Sequence, residues 1–126
     1  MSGRRAIAGA AGLAAALTLA AACAYAAMGY LATGGAPDEP AVHTVVIDAT
    51  RFSPAVLHVR AGDTIVWCND DMFPHTATSR DGGFDSGSIA PGSSWRHTVG
   101  AGTGTTSYVC TYHPTMKGVL EVAAPQ

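Results

Sequence analysis

Charged side chains are scarce in this chain of 126 residues: Asp, Glu, Lys and Arg make up 13 % of it, and the formal net charge is −2. That composition is not that of a nucleic-acid binder, which needs clustered Lys and Arg to meet phosphates. Cysteine is sparser still, with only Cys23, Cys68 and Cys110, so a Cys68–Cys110 bridge is the one disulfide open to the chain beyond the N-terminal apolar segment. No helical period is seen beyond that segment, and there is no internal repeat. Asp70-Asp71 is the nearest thing to a carboxylate pair. Neither a nucleophile nor a phosphate-cradling glycine loop accompanies it, so it reads as a solvated turn and the chain does not read as an enzyme.

The N-terminus is basic and then apolar. Arg4-Arg5 precede an uncharged, alanine-rich stretch from Ala6 to Ala32, the order of an export signal. Ala24-Tyr25-Ala26 offers a small-x-small cleavage site, while the length of the stretch equally suits an uncleaved membrane tether through residues 6–32. Cys23 adds a lipidation reading. All three place the rest of the chain outside the cytoplasm, either periplasmic, secreted or held at the outer face of the membrane. The expected division is a signal peptide or anchor over 1–32, a flexible linker over 33–40 rich in Gly and Pro, and a folded domain over 41–124. From Ala36 onward five basic residues stand against nine acidic ones, a net −4 that is ordinary for a soluble domain.

The remainder has an all-β character. Val42–Ile47, Val56–Arg60, Thr64–Asn69, His75–Ser79, Trp95–Val99, Thr106–Cys110 and Val119–Val122 are predicted strands. Ser53-Pro54, Ala61-Gly62-Asp63, Asp81-Gly82-Gly83 and Pro91-Gly92-Ser93 punctuate them. Short strands at this spacing predict a two-sheet sandwich. Trp67 and Trp95 are expected in the core. His43, His58 and His97 lie on strands without cysteine or methionine at ligand spacing, and read as strand or surface histidines.

The chemistry concentrates in Cys110-Thr111-Tyr112-His113-Pro114-Thr115-Met116, with a second imidazole upstream in Phe73-Pro74-His75-Thr76. A thiolate, two imidazoles and a thioether form the donor set of a blue-copper site, in which the trigonal Cys and His ligands suit both Cu(I) and Cu(II) and the methionine is a weak axial ligand. His75, Cys110, His113 and Met116 are therefore the candidate ligands of one copper ion. Such a filled site leaves no open position for a substrate. It suits one-electron transfer between redox proteins. Copper storage or delivery with the same ligands is the alternative, as is a metal-free module joined by a Cys68–Cys110 bridge. Cys68 reads as a buried free thiol, since free cysteine behaves as a small hydrophobe.

From Val42 to Val122 the chain resembles the cupredoxins, and among them the amicyanin and plastocyanin type. Phe52-Ser53-Pro54, Ala61-Gly62-Asp63-Thr64-Ile65-Val66-Trp67, Asn69, Pro74-His75-Thr76, Phe84-Asp85-Ser86-Gly87, Pro91-Gly92, Tyr108, Cys110, His113-Pro114, Met116 and Gly118 carry the resemblance. It implies a two-sheet Greek-key β-sandwich and a monomeric domain. It also implies the same four ligands, with redox partners docking at an apolar edge around His113. Further implications are a Thr76 N–H donor to the cysteine sulfur, and an Asn69 side chain tying the ligand loops through the backbone near Thr111. Two departures stand out. Tyr112 replaces a frequent proline and keeps an N–H that could also donate to the sulfur, which would raise the reduction potential. Thr106 replaces a frequent aromatic, so the glycine-rich corner beside it is expected to be loose.

Overall fold

A computed structural model describes residues 39–124. The N-terminal 1–32 segment and the linker up to residue 38 lie outside the described residues. Among the described residues no helix is long and apolar enough to cross a membrane.

Eight strands form two four-stranded sheets. They are β1 (Val42–Asp48), β2 (Arg51–Ser53), β3 (Val56–Arg60), β4 (Thr64–Asn69), β5 (Thr78–Ser79), β6 (Ser94–Thr98), β7 (Gly104–Val109) and β8 (Lys117–Ala123). One sheet has the order β2-β1-β4-β6 and the other β3-β8-β7-β5. β1 runs parallel to β4, and β3 parallel to β8. The predicted sandwich is present. β2 went unread in the sequence, and the predicted His75–Ser79 strand shrinks to Thr78–Ser79, because His75 instead makes an isolated bridge with Ile89.

Val45, Ile47, Phe52, Ile65, Trp67, Phe84, Tyr108 and Leu120 fill the space between the sheets. Side chains alternate across a strand, so Ile65, Trp67 and Asn69 share one face of β4 and Val66 and Cys68 the other. Cys110 belongs to the inter-sheet cluster, whereas Cys68 does not. The two thiols therefore lie on opposite sides of a sheet, and both are free. The bridged alternative fails on this geometry. Trp67 Nε1 and Tyr108 Oη are buried with no hydrogen-bond partner among the described residues. Burial pushes the Tyr108 phenol up to about 12, and the nearby indole N–H offsets this only in part.

Gly118 exists where it does because of Tyr108. The two residues pair across β7 and β8, and a Cβ at Gly118 would fall inside the Cζ, Oη and Cε1 atoms of the tyrosine ring. The ring is fully buried and has no room to yield. Gly118→Ala is expected to cost about 1–3 kcal/mol, the usual range for overpacking a core. A lowered denaturant midpoint at unchanged slope would register it.

Asp63, at the turn into β4, clamps one end of the sandwich. Its buried carboxylate accepts the N–H groups of Ala41 and Arg60, each at 2.9 Å, and meets His43 Nε2 at 2.8 Å. His43 is thus a strand histidine with a structural partner, as its isolation from other ligand types suggested. Burial raises the Asp63 carboxyl, but the Ala41 N–H, the His43 ring and the Arg60 N–H together bring it below its ordinary 3.8. A carboxylate with a depressed folded pKa stabilises the fold above the unfolded value and loses that contribution as pH falls through the folded one. Asp63→Asn is accordingly expected to lower the Tm at neutral pH and to flatten its decline below about pH 4. Thermal melts on both proteins across that window check the slope.

At the glycine-rich corner, Thr106 Oγ1 donates to Asp81 Oδ2 at 3.3 Å. That bond joins the corner to the turn after β5.

Candidate metal centre

The centre is assembled by two loops at one end of the sandwich. The first runs from the end of β4 to His75. Asn69, fully buried, donates through Nδ2 to the carbonyls of Phe73 at 2.8 Å and Ile89 at 2.9 Å, and accepts the Asp71 N–H at 3.0 Å. It shapes the loop that delivers His75. The tie to the backbone near Thr111 that the family resemblance implies is not among its hydrogen bonds in the described residues. That cross-link belongs to Thr76, whose Oγ1 accepts the Thr111 N–H at 2.8 Å.

The second loop joins β7 to β8, which pair antiparallel through Val109 and Lys117. Cys110 N donates to Met116 O at 3.2 Å and Met116 N to His113 O at 2.8 Å. These bonds close a tight turn on a paired-strand base, a rigid support for the three candidate ligands it carries.

The geometry at the centre is convergent. His75 Nδ1 lies 3.7 Å from Cys110 Sγ, and His113 Nδ1 lies 3.9 Å from the same sulfur. The donor atoms of His75, Cys110 and His113 all fall within 4.8 Å of one another. A first-row ion at roughly 2.0–2.1 Å from nitrogen and 2.3 Å from sulfur separates N and S by about 3.7 Å when the three ligands are trigonal. The two N···S separations match that spacing, so the donor set suits a metal bound between them. Met116 is buried in the same cluster as Cys110. Among the described residues no other group of His, Cys, Asp or Glu has this arrangement, and His43, His58 and His97 stand apart from it.

Each imidazole must present a lone pair rather than a proton. For His75 the fold settles the tautomer. Its Nε2 lies 3.0 Å from Asp71 Oδ2 with the ring fully buried, so the Nε2–H donates to the carboxylate and Nδ1 is left free to bind. Asp71 also accepts the Thr50 N–H at 2.9 Å and, through Oδ1, the Met72 N–H at 2.7 Å. The Thr50 N–H, with the His75 ring and the Met72 N–H, holds the carboxyl below its usual range against the opposing effect of burial. In the sequence Asp71 reads as part of a solvated turn, whereas in the fold it holds the His75 ring. Its spacing four residues before His75, in a loop that must hold that ring, was the available signal.

Thr50 comes to Asp71 through a strained turn. Asp48 pairs with Arg51, leaving Ala49 and Thr50 as a two-residue hairpin loop with φ of 46° and 59°. Asn and Gly normally fill such positions, and a side chain with a Cβ there costs roughly 1–2 kcal/mol per residue. The cost falls where the backbone is needed to hold the carboxylate behind His75.

At the sulfur, Thr76 N donates at 3.3 Å. No hydrogen bond from the Tyr112 N–H to the sulfur is present among the described residues, so the second donor allowed by the sequence, and the higher potential argued from it, do not follow. Outside, Met72, Phe73 and Tyr112 are exposed large side chains, 77 %, 53 % and 52 % accessible. They lie on the two loops that carry the ligands.

Comparison with known proteins agrees with this architecture. A family profile described as a cupredoxin-like domain matches residues 13–122. Amicyanin-alpha from Methylorubrum extorquens is 32 % identical over 115 residues, covering 87 % of this chain and 97 % of that protein. Among solved structures, a purple cupredoxin from Nitrosopumilus maritimus is similar with a TM-score of 0.59 at 27 % identity, over 64 % of this chain and 99 % of its own. A copper-containing nitrite reductase from Thermus scotoductus gives a TM-score of 0.63 at 29 % identity, over 76 % of this chain but only 25 % of the reductase.

Proposed function

Since the chain belongs to the cupredoxin-like family, we propose that it is a mononuclear blue-copper protein that passes one electron between redox partners. The observation that carries this reading is the convergence of two imidazole Nδ1 atoms on one thiol sulfur. His75, Cys110 and His113 would hold the copper, with the Met116 thioether as a fourth, weaker donor. The bound ion would supply the Cu(I)/Cu(II) couple.

The protein's part is to keep the ligand set the same in both oxidation states. Asp71 fixes the His75 ring, the Thr76 N–H fixes the sulfur, and the closed turn from Cys110 to Met116 fixes the rest. A support this rigid would leave the ligands little to rearrange between the two oxidation states. His75 and Cys110 are buried while His113 is half-buried, so His113 is the ligand open to a partner. Phe73, Met72 and Tyr112 give the surrounding edge an apolar surface on which a redox protein would dock. The similarity to the nitrite reductase covers a quarter of that chain, and a centre filled by these four ligands has no position left for a substrate. We further propose an extracytoplasmic location, supported by Arg4-Arg5 and the apolar stretch after them. The domain division into 1–32, 33–40 and 41–124 is part of the same proposal.

Cu(II) titration of the chain, followed by visible absorption and electron paramagnetic resonance, tests the reading. The expected result is an intense blue band with narrow copper hyperfine splitting at one copper per chain, retained through repeated reduction and reoxidation. Absence of the band would sink the carrier. Loss of the copper to an apo acceptor during cycling would favour delivery instead.

A further inference from the structure

A file of hydroxyl groups leads away from the thiol ligand to the surface. Thr76 Oγ1 lies 3.1 Å from Thr111 Oγ1 and accepts the Thr111 N–H at 2.8 Å. Thr78 Oγ1 lies 3.1 Å from Thr76 Oγ1 and also 3.1 Å from Asp85 Oδ1. Thr76 thus carries two duties. Its backbone N–H meets Cys110 Sγ, and its side chain joins the two ligand loops.

Proton counting shows what Thr78 adds. A hydroxyl has one hydrogen and two lone pairs. The Thr78 hydrogen has two acceptors within reach, the Asp85 carboxylate and Thr76 Oγ1, and an ionised carboxylate can only accept. Given to Asp85, that hydrogen leaves the Thr78 oxygen as an acceptor facing Thr76. Given to Thr76, it fills the lone pair that the Thr111 N–H leaves free. In both arrangements the Thr78 hydroxyl bounds the rotation of the Thr76 side chain. Asp85 is itself anchored, since its Oδ1 accepts the Gly87 N–H at 2.9 Å and its backbone bridges Thr78. The file therefore ends on a fixed point, although Asp85 is exposed to solvent.

We propose that Thr78, tethered by Asp85, is a positioning residue for the metal centre: it fixes Thr76 and with it the N–H donor on the Cys110 sulfur. The redox consequence rests on the blue-copper reading, while the structural one stands without metal. A firm N–H···S bond withdraws electron density from the thiolate and favours Cu(I), so loosening it lowers the reduction potential.

The experiment uses the full chain and compares wild type with Thr78→Val, which keeps the shape and removes the hydroxyl, and Thr78→Ser, which keeps the hydroxyl. Amide hydrogen exchange at Thr76 in the metal-free protein is the first readout. Thr78→Val is expected to exchange about fivefold faster, the factor one net hydrogen bond is worth, and Thr78→Ser at the wild-type rate. The second readout is the reduction potential after copper loading, expected to fall for Thr78→Val and to hold for Thr78→Ser. Should Thr78→Val not fold, Asp85→Ala at its exposed position is read by Thr76 exchange alone, and is expected to accelerate it. Unchanged Thr76 exchange in Thr78→Val, or in Asp85→Ala when it stands in, overturns the proposal. So does a Thr78→Ser protein that behaves like Thr78→Val. A wild-type chain that binds no blue copper defeats the carrier reading instead, and the metal-free exchange rates still decide the role of Thr78.

Discussion

Cys110→Ser is expected to abolish the blue band completely while leaving a folded protein. The colour of such a centre comes from charge transfer between thiolate sulfur and copper, and among the described residues Cys110 is the only thiol at the cluster. The other cysteine of the described residues, Cys68, faces away from it across a sheet. Serine is smaller than cysteine, so the buried site can take it without strain, and its oxygen can still accept the Thr76 N–H that now meets the sulfur at 3.3 Å. The two imidazoles would remain, and copper would bind as a pale centre with wide hyperfine splitting. Visible absorption and paramagnetic resonance on the copper-loaded variant decide it. A surviving blue band would remove Cys110 from the ligand set and with it the whole assignment.

The second large effect is expected at a residue that touches no metal. Asp71→Ala takes the acceptor away from His75 Nε2, leaving a fully buried N–H unpaired and freeing the ring to swap tautomer or turn. It also removes the partner of the Thr50 N–H, which sits in a hairpin loop already strained at φ 59°. Removing a partner that orients a ligating histidine typically costs 10- to 100-fold in metal affinity, and a fall of about that size is expected in competition titrations against a chelator. Asp71→Asn keeps an oxygen in place to accept from the ring and should recover much of the affinity. Equal affinity in wild type and Asp71→Ala would show that packing alone orients His75.

These two residues also mark what could be read from the sequence. Cys110, His113 and Met116 stand out in the sequence because one short loop carries them all, and His75 stands out there as a second imidazole whose approach to the thiol only the fold displays. The strands from β-branched runs are legible for the same local reason, and Val42–Asp48 and Thr64–Asn69 lie where that pattern put them. The parts that escaped are held through space. β2 is only Arg51–Ser53, reached by a turn of Ala49 and Thr50 that shows none of the Asn or Gly by which such turns are recognised. Asp71 looks like any acidic loop residue until Thr50 and His75 close around it. Asn69 and Thr76 divide the loop-tying work differently from the family pattern, because a side-chain amide and a hydroxyl both suit the task and only the folded distances choose between them.

Strand direction gives the molecule two poles. Asp63 and Asn69 flank the start and end of β4, whose five steps of about 3.3 Å span roughly 17 Å. β1 enters beside Asp63, running parallel to β4, and β8 leaves beside Arg60 at that same pole. Both ends of the described chain therefore emerge on the side away from His113. If the protein is wired to an electrode as a copper carrier, a handle placed at either end of the described residues leaves the His113 edge bare. Attachment there also stands that edge off the electrode surface by the length of the sandwich, which favours exchange with a soluble mediator over direct contact.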